Sequence, residues 1–169
     1  MHLIIDGYNL LHVGRSLIQL NAVELQWERD RLIDELAAFR RTKPCQITVV
    51  FDGWQGGWRT EKKEMKKGIE MVFSKLGEKA DDVIKRLVRG MGSAAVVVTS
   101  DREVSSFAEK ISVAVIPSDQ FKERMELNPA KMEREMEGDE EEEGGLKKKG
   151  PSRRLSKKER RTRAALKKL

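Results

Sequence analysis

Two rhythms alternate along this chain. Short apolar runs of strand length close on a polar residue, and between them apolar residues recur at helical spacing. The first run, His2-Leu3-Ile4-Ile5, ends at Asp6. Leu25, Leu32, Leu36 and Phe39 then recur with Glu and Arg between them, predicting an amphipathic helix over Ala22–Arg41 that Pro44 stops. Trp27, on that helical pattern, reads as a packing residue. Gln46–Phe51 is rich in β-branched residues and predicts a second strand, delivering Asp52 into a Gly/Trp loop over Gly53–Trp58. Ile69–Phe73 predicts a third strand and Asp81–Met91 a helix. Ala94–Thr99 is a continuous apolar run, as expected of a parallel strand buried on both faces. Glu103–Ile111 reads as a helix, Val113–Ile116 as the fifth strand, and Ser118 as the cap of a last helix running from Asp119 to near Asn128-Pro129. Strand and helix alternate throughout. That predicts an α/β fold: a Rossmann-like three-layer sandwich around a mostly parallel central sheet.

Past residue 129 the rhythm stops. The 169 residues fit one domain plus an appendage: a folded domain over 1–129, a charged linker over 130–152 predicted to be disordered, and a basic tail over 153–169. In the tail, Ser156-Lys157-Lys158-Glu159 has the form of a capping box able to start a short helix. The net charge of +6 is unevenly spread. From Lys147 onward 12 Lys/Arg face one acid, whereas residues 1–146 hold 22 Lys/Arg against 27 Asp/Glu. A mildly acidic body thus carries a strongly basic arm, a pattern suited to meeting a polyanion. The sole cysteine, Cys45, excludes an internal disulfide framework and a cysteine-rich zinc site. No apolar stretch approaches the ~20 residues of a membrane span, and no signal-peptide-like region opens the chain. A soluble, cytoplasmic protein is expected.

The candidate chemistry lies at strand ends. Asp6, Asp52, the Asp81-Asp82 pair and Asp101 each come after an apolar run. Singly, each has a plain explanation: Asp52-Gly53 as a turn, Asp81 and Asp101 as helix caps, Asp82 as a first-turn acid. In a parallel sheet, however, the C-terminal strand ends share one edge, so Asp6, Asp52, Asp81 and Asp101 would meet at one rim. Like charges crowded there call for a cation, and an oxygen-only donor set points to Mg²⁺ or Mn²⁺. Such a site suits phosphoryl chemistry, with Asn9 and Ser100 as neutral polar neighbours. A haloacid-dehalogenase-type phosphatase would need an acid where Tyr8 stands. A response-regulator receiver would need a lysine where the fifth strand runs into Pro117-Ser118-Asp119. No glycine-rich phosphate loop is present, so no nucleotide cofactor is expected.

Taken in order, Asp6-Gly-Tyr-Asn9, Val50-Phe-Asp52-Gly53, Ala80-Asp81-Asp82-x-Ile84 and Val98-Thr-Ser-Asp101 resemble the YacP-like branch of the NYN-domain proteins, in the PIN-like nuclease superfamily. The resemblance covers residues 1–127, and Glu61-Lys62-Lys63 and Ile69–Ser74 share it. It implies a PIN-like fold with an acidic, metal-dependent ribonuclease site, in a family implicated in cleaving RNA, including mRNA on ribosomes. By that resemblance Asp6, Asp81 and Asp101 are the principal metal-binding carboxylates, and Asn9 and Asp52 support them. Asp82 is a further metal candidate, although neighbours on a helix point ~100° apart. The acidic-then-basic C-terminal stretch departs from the pattern.

For holding RNA, Trp54 and Trp58 could stack on unpaired bases while Arg59, Lys62 and Lys63, with Lys66 and Lys67, take phosphates. An equal alternative makes the tryptophans a hydrophobic lid on the sheet edge. Arg153 and Arg154 in the tail would add salt-dependent affinity. The sequence therefore predicts a metal-dependent endoribonuclease, with a non-catalytic RNA- or ribosome-binding protein as the alternative and a small-molecule phosphatase as a third reading.

Overall fold

The computed structural model describes residues 1–14, 17, 20–53, 58–127 and 157–168. Their strands are β1 (His2–Asp6), β2 (Gln46–Phe51), β3 (Lys62–Lys66), β4 (Ile69–Phe73), β5 (Ala95–Val98) and β6 (Ala114–Ile116). They form one sheet in the order β3-β4-β2-β1-β5-β6, parallel throughout except for the β3–β4 hairpin. The helices are α1 (Gly7–Leu11), α2 (Ala22–Thr42), α3 (Ala80–Met91), α4 (Arg102–Lys110), α5 (Ser118–Glu126) and α6 (Lys157–Lys168).

The unbroken apolar strands are explained by cores on both faces of the sheet. Leu3 and Ile5 point into one core with Leu32, Ile33 and Leu36 of α2 and Phe121 of α5, while Ile4 points into the other with Val83, Ile84 and Val88 of α3 and Val104 of α4. This is the three-layer, mostly parallel sandwich the alternation of elements predicts. Asn21 starts α2 through a capping box with Glu24, its side-chain oxygen accepting from the N–H groups of Val23 and Glu24.

Four local features differ from the sequence reading. β3, Lys-Lys-Glu-Met-Lys, is an edge strand whose charged residues hide its period. Its hairpin closes through Lys67 (φ 53°) and Gly68 (φ 78°), the two left-handed positions of a type I′ turn. The short helix α1 follows directly from Asp6, whose side chain caps it. Trp27 does not pack: it stands 67% exposed on α2. Ser118 is the first residue of α5, not its cap, and its hydroxyl is used elsewhere.

At the opposite edge, α6 lies over β6. Thr162 Oγ1 donates to the Val115 carbonyl at 2.8 Å, and Ala165 is buried in the core that α2 also lines. Thr162 lines a cavity with Thr99 and Pro117, and Arg161, Ala164 and Ala165 line another with Met1 and Ser112. Among the described residues no helix is long and apolar enough to cross a membrane.

Two glycines of the recurrent Asp-Gly pairs are fixed by space. A Cβ on Gly7 would meet the Phe51 ring at 2.3 Å, and one on Gly53 would meet the Ser74 carbonyl oxygen at 1.9 Å. Backbone cannot move aside as a flexible side chain can, so Gly53→Ala should cost about 2 kcal/mol or more in denaturant unfolding. Gly90→Ala, in α3 with no atom near its Cβ, should instead stabilise by about 0.5–1 kcal/mol.

Candidate active site at the sheet switch point

The strand order reverses direction between β1 and β5, the place where open α/β sheets leave a crevice for ligands. Asp6 ends β1 on one side of that seam, and Thr99-Ser100-Asp101 follows β5 on the other. Asp6 is only 7% exposed. Its Oδ1 accepts the Asn9 N–H at 3.1 Å and its Oδ2 accepts the Thr99 hydroxyl at 3.1 Å. Burial pushes its carboxyl up to about 6; the two hydrogen bonds oppose this, and the charges of Asp81 and Asp52 add to it.

The other carboxylates are held by helix starts. Asp101 caps α4, its Oδ1 accepting from Glu103 N–H at 2.8 Å and Val104 N–H at 2.9 Å. Its own N–H donates to Thr99 Oγ1 at 3.0 Å, so one hydroxyl connects Asp6 to the Asp101 backbone. Asp81 sits in the first turn of α3; burial raises its carboxyl, Asp101 and Asp52 add to that, and Lys85 opposes it. Lys85 in turn pairs with Glu103, joining α3 to α4 behind the rim. Asp52 Oδ1 accepts the Ala80 N–H at 2.7 Å, closing a helix end for which Lys79 at the N-cap offers no side-chain bond. Asp52 thereby positions the turn that carries Asp81.

Asn9 is a brace. Its Oδ1 accepts the Ser100 N–H at 2.8 Å and the Ser118 hydroxyl at 2.7 Å, while the Ser118 N–H donates to Ser100 Oγ at 3.0 Å. The ends of β1, β5 and β6 are tied together in this way. The sequence offers Ser118 only as a helix cap and does not mark Thr99; the one signal for either at the rim is a polar residue close after an apolar run.

The structure places Asp81 within electrostatic reach of Asp6, Asp52 and Asp101, and Asp52 within reach of Asp6, and it leaves Asp82 exposed, where it acts on Lys85. The predicted RNA-holding set is more dispersed. Trp58 packs edge-on against Phe73 at 5.2 Å and carries Lys62 Nζ 4.7 Å above its ring. Lys62 pairs with Glu64, Lys63 with Glu61, Lys66 with Asp30 and Lys67 with Asp34, so this basic run is neutralised by the body's own acids. Arg59 is exposed. Trp54, Arg153 and Arg154 lie outside the described residues.

A sequence profile described as "YacP-like NYN domain" matches residues 3–168. The chain belongs to the YacP-like NYN-domain family. The match takes in the C-terminal helix as well as the α/β body. Among curated relatives, the uncharacterized protein YacP of Bacillus subtilis (strain 168) is 33% identical over 104 residues, a stretch covering 59% of this chain and 59% of that protein. Two crystal structures of Rae1 (YacP) from Bacillus subtilis share the fold. One, of a mutant form, has a TM-score of 0.65 at 23% identity and covers 80% of this chain and 81% of that one. The other has a TM-score of 0.62 at 25% identity and covers 81% and 80%. NYN domains belong to the PIN-like nuclease superfamily, in which RNA is the general substrate and divalent metals generally serve the reaction.

The NYN rim of this chain fits such an ion in its charge and donor type. Neighbouring carboxylates raise the proton affinity of Asp6 and Asp81, and the rim's side chains are hard oxygen donors. Among the described residues, however, no three His, Cys, Asp or Glu side chains form a ready cage. That is compatible with Mg²⁺, which keeps several waters and takes only one or two carboxylates together with substrate phosphate.

Because the folded state holds the Asp6 proton more tightly than the unfolded chain (3.8 rising to about 6), its stabilising effect is complete below about pH 4 and is lost as pH rises through 6. In EDTA, thermal melts of wild type and Asp6→Asn should therefore diverge over that window. The variant should gain roughly 2–3 kcal/mol on wild type by pH 7. A gap that stays constant with pH would refute this.

Proposed function

We propose that this chain is a metal-dependent endoribonuclease that hydrolyses phosphodiester bonds in single-stranded or otherwise exposed RNA. What supports the reading is the link of Asp6 to the Asp101 backbone through the Thr99 hydroxyl, with Asp81 in electrostatic reach of both acids, in a family of the PIN-like nuclease superfamily. Asp6, Asp81 and Asp101 would hold Mg²⁺ or Mn²⁺, which when bound supplies polarisation of the scissile phosphate and a more acidic water. Asp82 is the weaker metal candidate, being exposed and absent from the charges that act on Asp6 and Asp81.

The remaining residues set geometry. Asn9 and Thr99 fix the β5 loop against the end of β1, and Asp52 fixes the first turn of α3. Ser100 presents its hydroxyl at the rim. Water adds at phosphorus and the P–O3′ bond breaks, leaving a 5′-phosphate and a 3′-hydroxyl. The family resemblance makes ribosome-associated mRNA in the cytoplasm the leading substrate class. One observation favours the second reading, a non-catalytic RNA- or ribosome-binding protein: the lack of a ready three-carboxylate cage among the described residues.

Purified wild type, Asp6→Asn, Asp101→Asn and Asp82→Asn, assayed on single-stranded RNA with Mg²⁺ or Mn²⁺, separate the two. Asp6→Asn and Asp101→Asn should lose cleavage on the order of 100-fold or more, with Asp82→Asn close to wild type. Cleavage persisting in both of the first two variants would place the activity elsewhere. RNA binding without cleavage by wild type under either ion would establish the binding module.

A further inference from the structure

A cavity of about 410 Å³ opens on the α4–α6 side of the rim, and the function proposed above does not use it. Thr99, Ser100, Arg102, Ser106, Pro117 and Thr162 are among its lining residues, and among the described residues no carboxylate side chain lines it. This is unusual for a body with an excess of acids. Its size falls within the range of about 300–1,000 Å³ typical of ligand clefts. Its floor and the carboxylate rim are parts of one turn, since Thr99 bonds Asp6 on one side and lines the cavity on the other.

The polar groups are left available. Arg102 makes no hydrogen bond or ion pair among the described residues, in contrast to the paired lysines of the β3 hairpin. Ser100 Oγ accepts from the Ser118 N–H and keeps its own proton to donate. Ser106 is exposed at the lip. A guanidinium suits a phosphate, and hydroxyls that can both donate and accept suit a ribose 2′-hydroxyl, the group by which proteins tell RNA from DNA. Thr162 brings α6 in as the far wall, so the C-terminal helix completes the cavity.

We propose that this cavity is a ribonucleotide subsite that seats the nucleotide next to the scissile phosphate. Arg102 takes the neighbouring phosphate, and the Ser100 and Ser106 hydroxyls face the ribose. The proposal rests on the ribonuclease reading above and adds to it a structural source of preference for RNA over DNA.

The test uses the full chain as wild type, Arg102→Gln and Ser106→Trp, the last filling the cavity from its lip. Both positions are exposed, and melting temperatures check folding. Fluorescence anisotropy in EDTA at low salt measures binding of a short single-stranded RNA and of DNA of the same sequence. Cleavage of the RNA with Mn²⁺ gives kcat and KM. The expected result is a wild-type preference for RNA, with RNA affinity reduced about tenfold in each variant. The gap to DNA should then close, and KM should rise while kcat changes little. If wild type cleaves RNA but both variants keep its RNA preference, or lose RNA and DNA binding equally, the subsite is overturned and the nuclease stands. If wild type neither binds nor cleaves RNA, the ribonuclease reading falls and the subsite falls with it.

Discussion

A carboxylate taken out of water is unfavourable unless donors or an opposite charge compensate it, and Asp6 meets that constraint at the seam where the sheet changes direction. Two donors serve it, one from the start of α1 and one from the end of β5. Because the Thr99 hydroxyl also receives the Asp101 N–H, the compensation of Asp6 and the start of α4 are the same event. Asn9 extends the linkage to β6 through Ser118. The rim is consequently one polar network laid over two apolar cores, and its donors still leave the charge of Asp6 disfavoured.

That arrangement explains how the site divides its labour. Asp6 and Asp101 combine charge with capping, since each accepts backbone N–H donation at the start of a helix, and Asp81 adds charge from the first turn of α3. Asn9, Asp52 and Thr99 spend their acceptors or donors on backbone and neighbours, which fixes where that charge sits. Asp52, an acid at the same strand-end position as Asp6, closes the start of α3, and its charge acts on both Asp6 and Asp81.

Much of this was legible in the sequence because it follows from the chain's own periodicity. Parallel strands buried on both faces read as unbroken apolar runs, and the residue after each run must lie at the common rim, which gives Asp6, Asp52 and Asp101 their placement. What was not legible depends on distant partners. The lysines of β3 look like an open basic patch until α2 supplies Asp30 and Asp34, more than thirty residues away, and the hairpin supplies Glu64. Trp27 follows a helical pattern, but its side chain faces outward, and spacing alone does not set which face of a helix meets the sheet. Thr99 and Ser118 gain their roles only when three strand ends are brought together.

The two edges of the sheet are closed by different means. On one side β3 presents lysines; on the other α6 lies across β6 and takes up an outward carbonyl through Thr162. The C-terminal helix therefore also acts as a guard against self-assembly. A chain nicked between the body and α6 would be left with a bare parallel edge, open to strand addition from another copy.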